Sequence, residues 1–354
     1  MKKLRCVSTR AVGKTATGGD NEKLKIKNEI GSPISHLIFK TNSLLLYEFQ
    51  RFANKNDFCQ VQTPKLTLGV SEDGDSVFEM SYFDKKAFLA QSSQIYKQML
   101  VNANFDKVFE IGPAFRAESI DTTRNFDTNR HLCEFTSVDF EMDLSIYKDP
   151  FQSLISFTWN MIKTVLTNLK KKYRNISSNS KKLLVKFKKT TISKKPTCIT
   201  FSKAVSLLRK DGKIQNQLEA LSNENEYRLG ELIKKKYDTD LFIITKYPLS
   251  VKPFYIMPCP GDATSSNSFD VIYKGQEICT GGQRHNNYQE LINALTTREI
   301  NTSGFEDYLN SFKDVSRTHG GCGVGVNRII SLFLGLNDVK HAVLFADNLN
   351  RITS

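Results

Sequence analysis

No stretch of the 354-residue chain stays apolar for the roughly eighteen residues that a membrane-crossing helix requires, so a helical membrane protein is excluded. Histidine is scarce, at five residues, and the seven cysteines (Cys6, Cys59, Cys133, Cys198, Cys259, Cys279, Cys322) stand apart, with no CxxC pair and no Cys/His cluster. That scatter lacks the paired-ligand spacing of a structural zinc site. Thiols spread through a chain of this size read as reduced and structural, which makes the cytoplasm the expected compartment, with an organelle matrix as the alternative. Acidic charge is also short: 50 Lys and Arg oppose 37 Asp and Glu, for a formal net charge of +13. Hydrophobic residues make up 40% of the chain, enough for a globular core and too many for a disordered protein.

The excess positive charge is local. Between positions 170 and 196 the chain carries Lys170, Lys171, Lys172, Arg174, Lys181, Lys182, Lys186, Lys188, Lys189, Lys194 and Lys195, with no acid. Such a block attracts a phosphate backbone by releasing counterions, and it reads equally well as a solvated loop. Residues 1–23 read as a disordered basic tail, with Lys2, Lys3, Arg5, Arg10 and Lys14 and no acid before Asp20. Gly13-Lys14-Thr15 has Ser8 where a phosphate loop needs its first glycine, so it is not one.

Apolar residues recur at helical spacing over 33–53, and the alternation over 58–63 predicts a strand that stops at Pro64. A hairpin is expected over 76–90, a helix over 92–103, and strands over 107–117 and 132–142 with a polar loop between them. Segments 150–170 and 201–237 read as helices; 241–245, 253–257, 268–273 and 276–281 as strands; and 324–335 as a closing helix. Strands in two blocks around a helical middle (144–240) argue for an α+β fold, an antiparallel sheet flanked by helices.

Three segments carry chemistry together. The first is the long helix feeding a strand that ends at Thr63-Pro64. The second is Phe115-Arg116-Ala117-Glu118, followed beyond the polar loop by Arg130-His131-Leu132-Cys133-Glu134-Phe135. An arginine fork with a nearby second cation suits a triphosphate, and a phenylalanine close by could stack on a base. The third is the glycine-rich run Gly320-Gly321-Cys322-Gly323-Val324-Gly325-Val326-Asn327-Arg328, where small residues let backbone approach a ligand. In this order the segments resemble motifs 1, 2 and 3 of the class II aminoacyl-tRNA synthetases, over about residues 24–354. Gln91-Ser92-Ser93-Gln94-Ile95-Tyr96-Lys97, Lys246-Tyr247-Pro248-Leu249, Pro253-Phe254-Tyr255-Ile256-Met257, Ser266-Asn267-Ser268-Phe269-Asp270 and Gly281-Gly282-Gln283-Arg284 are similar to the eukaryotic and archaeal aspartyl type.

The resemblance implies ATP-dependent activation of L-aspartate, transfer to tRNA(Asp), and a homodimer. Arg116 would hold the α-phosphate and the attacking carboxylate, with His131 and Arg328 on the distal phosphates. Phe135 and Arg328 would sandwich the adenine, with Leu132 in the same segment, and Glu118 would accept from the adenine amino group. Asp270 and Glu277 would hold Mg²⁺. Lys97 and Arg284 would recognise the substrate's side-chain carboxylate, while Ser71, Glu72, Gln94 and Asp139 would bind its ammonium and shape the entrance. A Lys at 97 disfavours the asparaginyl relatives.

Four departures bear on this expectation. About two dozen residues stand where an anticodon-binding OB-fold is ordinarily found. Asn327 replaces the acid before the motif 3 arginine, the loop Ser119–Asn129 is long, and Phe345-Ala346-Asp347-Asn348 replaces a Phe-Pro-Arg-Asp, although Arg351 remains. They keep two alternatives open: an aspartate-activating paralogue that makes asparagine, and a non-catalytic relative that binds RNA or protein.

Overall fold

The computed structural model describes residues 32–68, 77–117, 130–176, 190–213, 216–302, 304–313 and 317–345, with side chains in the first long internal helix described to Tyr173. Helix α1 (Pro33–Lys55) starts where Ser32 caps Ser35 N and a proline occupies the first turn. It is followed by β1 (Cys59–Gln60), β2 (Leu66–Thr67), the hairpin β3 (Glu79–Tyr82) and β4 (Lys85–Leu89), then α2 (Gln94–Asn102). Strands β5 (Lys107–Phe115) and β6 (Glu134–Asp143) precede α3 (Pro150–Ile176), β7 (Cys198–Thr200), α4 (Phe201–Lys210), α5 (Asn223–Tyr237) and β8 (Leu241–Thr245). The remainder comprises β9 (Pro258–Cys259), β10 (Asp262–Ser266), β11 (Ser268–Tyr273), β12 (Gln276–Gln283), α6 (Tyr288–Thr297), α7 (Glu306–Asn310), β13 (His319–Gly325) and α8 (Val326–Leu334).

Eight strands form one sheet in the order β1-β5-β6-β13-β12-β11-β8-β7. Its interior pairings are antiparallel, and the two outermost, β1 with β5 and β7 with β8, are parallel. The expected α+β architecture is therefore present. One apolar layer, including Leu45 and Phe49 of α1, Trp159 and Ile162 of α3, Phe333 of α8, and Phe140 and Phe269 of the sheet, closes one face. On the opposite face a second apolar cluster, with Phe242, Ile244 and Ile272 under Leu208 of α4 and Leu229 and Ile233 of α5, covers the β11-β8-β7 end; the face over β5, β6, β13 and β12 carries polar side chains, and a cluster around Phe254, Leu291, Leu295 and Tyr308 borders it.

Several sequence expectations change here. The strand over 58–63 contracts to Cys59–Gln60, because Thr63 turns its N–H to the Glu110 carboxylate (3.1 Å) instead of to a neighbouring strand. Residues 253–257 do not form a strand. Ile256 N bonds back to Pro253 O (3.1 Å) in a turn, and Ile256 makes only an isolated bridge to Arg284. The glycine-rich run is the strand β13 in the centre of the sheet, and the predicted closing helix begins only at Val326. Helices α6 and α7 were not anticipated, nor was β7. The tail 1–23, the loop 119–129, most of the Lys-rich block and positions 346–351 lie outside the described residues.

Candidate active site

A cleft open to solvent lies over the polar face of β5, β6, β12 and β13. Its lining includes Gln94, Arg116, Arg130, His131, Leu132, Phe135, Asp139, Lys252, Glu277, Thr280, Arg284, Asn327 and Arg328. Strand periodicity explains why β6 furnishes one wall: Ser137, Asp139 and Glu141 alternate onto the same face.

At one end of the cleft stand the arginines. Arg116 follows β5, tied by its N–H to Cys133 O (2.9 Å), and its guanidinium lies over the Phe135 ring, 5.5 Å from the centroid. That ring face is the one expected to carry an adenine. Arg328, in the first turn of α8, donates from Nη1 to the Glu277 carbonyl (2.7 Å) and lies 3.9 Å from its carboxylate. Asn327, the departure from the family pattern, is buried and accepts the Thr136 N–H (2.8 Å), so it holds α8 to β6. His131 and Leu132 line the same end.

At the other end is a buried charge cluster. Arg284 grips Glu141 with Nε to Oε1 and Nη2 to Oε2, both at 3.1 Å, and Gln94 donates to Oε2 at 2.7 Å. Burial pushes the Glu141 carboxyl upward, but the Arg284 charge and its hydrogen bonds outweigh this and hold it below its usual value. Lys97 is 0% exposed and reaches Asp139 Oδ1 at 3.5 Å, and its ammonium makes no hydrogen bond among the described residues. Lys97 does not itself line the cleft; it stands behind Asp139, which does. Beneath the cluster, buried Tyr308 donates to Gln98 Oε1 (2.9 Å), and His319 Nε2 approaches the same oxygen (3.3 Å).

The glycines of β13 make room for these acids. Gly321 and Gly323 pair with Glu141 and Asp139 across the sheet. A Cβ on Gly321 would fall 2.0 Å from Phe140 O and 2.1 Å from Glu141 Oε2; one on Gly323 would fall 2.7 Å from Asp139 Oδ1. Gly321 and Gly323 are thus required for packing against side-chain carboxylates, while Gly323 and Gly325 also bare backbone to the cleft.

Two further sets of contacts went unread in the sequence. Glu141 was missed, although its alternation with Asp139 along a strand was a usable signal. Arg130 reaches from the cleft to Asn223 Oδ1 and Glu226 Oε2 at the start of α5, joining the helical middle to the site. Burial pushes the Glu226 carboxyl from 4.5 up to about 6, against the opposing pull of Arg130. A carboxyl whose folded value is raised adds stability below its unfolded value and loses it as pH rises through the folded one. The stability of the native protein relative to Glu226→Gln therefore falls by about 2 kcal/mol between pH 4.5 and pH 6.5, measured by denaturant titration at each pH. A flat difference would show that Glu226 titrates normally.

The expected metal pair is differently arranged. Asp270 faces Thr280 on β12, while Glu277 faces Ile272 beyond a bulge. Lys252 Nζ lies 2.7 and 2.9 Å from the two Asp270 oxygens, and Thr280 Oγ1 donates to Oδ1 at 2.6 Å. Glu277 lines the cleft but Asp270 does not. Ser71, Glu72 and Glu118 lie outside the described residues.

This arrangement has close counterparts. The profile of the tRNA synthetases class II (D, K and N) matches residues 28–349. The chain is 34% identical to the cytoplasmic aspartate–tRNA ligases of Mus musculus and Homo sapiens, in each case over 94% of this chain and 65% of the relative. It therefore spans slightly less than two thirds of their length. The solved aspartyl tRNA synthetase from Entamoeba histolytica superposes with a TM-score of 0.80 at 30% identity, covering 98% of this chain and 65% of that one. The match over residues 28–349, on a sheet whose interior pairings are antiparallel, makes this chain a member of the class II tRNA synthetases of the D, K and N group.

Proposed function

We propose that the chain activates L-aspartate with ATP to aspartyl-adenylate and transfers the aspartyl group to tRNA(Asp). The observation that carries this reading is the buried Lys97 ammonium, 3.5 Å from Asp139 and, among the described residues, without a hydrogen-bond acceptor. A desolvated ammonium without acceptors is costly, and a ligand carboxylate would relieve it. Aspartate brings one ammonium and two carboxylates. Its ammonium pairs with Asp139, which releases Lys97 to the side-chain carboxylate, while Arg284, locked by Glu141, presents a fixed cation beside it. Asparagine offers no charge to Lys97, so the same wall rejects it.

ATP lies toward the arginines. Arg116 leaves the Phe135 ring for the α-phosphate, so that the adenine takes its place, and His131 and Arg328 bind the distal phosphates. The substrate carboxylate is already ionised; it attacks the α-phosphorus and the bond to pyrophosphate breaks without a general base. Glu277, beside Arg328 in the cleft, would hold a magnesium ion, whose charge would offset that of the phosphates, whereas Asp270 is held by Lys252. Ser71, Glu72 and Glu118 complete the substrate contacts. A cytoplasmic homodimer belongs to the same reading, supported by relatives named as cytoplasmic and by the motif 1 helix α1.

ATP–pyrophosphate exchange tests this directly. Exchange with aspartate well above that with asparagine or with no amino acid is expected, followed by charging of tRNA(Asp). No exchange with either amino acid would transfer the fold to a binding role, and exchange without tRNA charging would favour the asparagine-forming paralogue.

A further inference from the structure

Lys252 is a charged cleft residue to which that account gives no contact with substrate. Its side chain is nearly buried, its ammonium contacts both Asp270 oxygens at 2.7 and 2.9 Å, and Thr280 Oγ1 lies at 3.4 Å. The Tyr247 ring supplies a further face at 4.1 Å. Two carboxylate oxygens, a hydroxyl and an aromatic face make a complete cation seat, occupied by a residue of the chain. Main-chain contacts hold the lysine there, because Arg298 donates to the carbonyls of both Lys252 and Leu249.

We propose that Lys252 is a built-in competitor of divalent metal, so that its ammonium and a metal ion occupy Asp270 in turn and never together. The physical reason is charge and geometry. A divalent ion binding Asp270 would meet a like charge within a few ångströms and would find both carboxylate oxygens already used. Before nucleotide binds, the lysine keeps Asp270 neutralised and turns metal away. Lys252 also lines the cleft, where an incoming polyphosphate gives its ammonium a second anionic partner. Metal occupancy is thereby tied to nucleotide occupancy. The inference deepens the ATP reading above and rests on it only for the identity of the polyphosphate.

Manganese binding to the nucleotide-free protein, followed by electron paramagnetic resonance, tests it without any turnover. Lys252→Met, which keeps most of the stem over Tyr247, should bind Mn²⁺ about tenfold more tightly than the native protein or tighter still. Lys252→Arg, which keeps the charge, should show no gain, and adding Asp270→Asn to Lys252→Met should abolish it. Lys252→Gln is a second neutral variant should the methionine variant fail to fold, and it should also bind more tightly. Unchanged affinity in a folded neutral variant, or a gain that survives Asp270→Asn, would overturn the proposal. Pyrophosphate exchange is independent of this readout, so an inactive protein in which the manganese result holds would sink only the functional reading.

Discussion

Replacing Lys97 with methionine lowers kcat/KM for aspartate in pyrophosphate exchange by about 10² to 10³-fold while leaving the KM for ATP nearly unchanged. The size follows from removing one partner of a desolvated charge pair, a loss of roughly 2–5 kcal/mol when the other partner is a bound carboxylate. The variant also separates specificity from folding. Lys97 is completely buried, and among the described residues its ammonium has only a long contact to Asp139. Methionine fills nearly the same volume and removes a desolvated ammonium, while Asp139, left without that cation, opens onto the cleft, so thermal stability should change little. Activity loss with an unchanged melting temperature is therefore the expected pair of results. An aspartate kcat/KM within about threefold of the native value would remove Lys97 from the substrate pocket.

Truncating Glu141 to alanine produces the opposite combination, a large loss of both stability and activity. Glu141 is fully buried and satisfies Arg284 through two hydrogen bonds and Gln94 through a third. Its removal leaves the Arg284 charge buried and uncompensated, which costs about 3–5 kcal/mol. Chemical denaturation of Glu141→Ala against the native protein measures this. The carboxyl is held below its usual value, so it contributes stability above its unfolded range that is lost as the pH falls through the folded one. The difference between native protein and variant should accordingly shrink in acid. A loss under 1 kcal/mol at neutral pH would mean that Arg284 finds another partner when Glu141 is gone.

The two results would also divide the site by origin. Lys97 was legible because it sits in a segment, Gln91 to Lys97, whose spacing resembles an aspartate-binding pattern. Glu141 carries no such signature. Its role depends on Arg284, which is 143 residues away in sequence and enters the site from β12. The glycine-rich run shows the same limit from the other side. Its composition suggested a close approach of backbone to a ligand, and Gly323 and Gly325 do line the cleft, but that Gly321 and Gly323 also leave space for Glu141 and Asp139 could be seen only from the strand pairing.

Local pattern and tertiary arrangement thus divide the molecule along a physical line. The helices α1, α2 and α3, the strand pair β5 and β6, and the order of the three motifs follow from periodicity and short-range spacing, because amphipathic repeats and cap residues act within a few positions. The sequence by itself determined the α+β class, the family and most of the candidate residues. It could not determine which charges meet. That Arg284 is spent on Glu141, that Lys252 sits on Asp270, and that Arg130 reaches α5 were decided only when the sheet register brought distant strands to within hydrogen-bonding distance. On the polar face of that sheet, a buried ion needs a counter-ion, and the nearest one is set by packing and not by position along the chain.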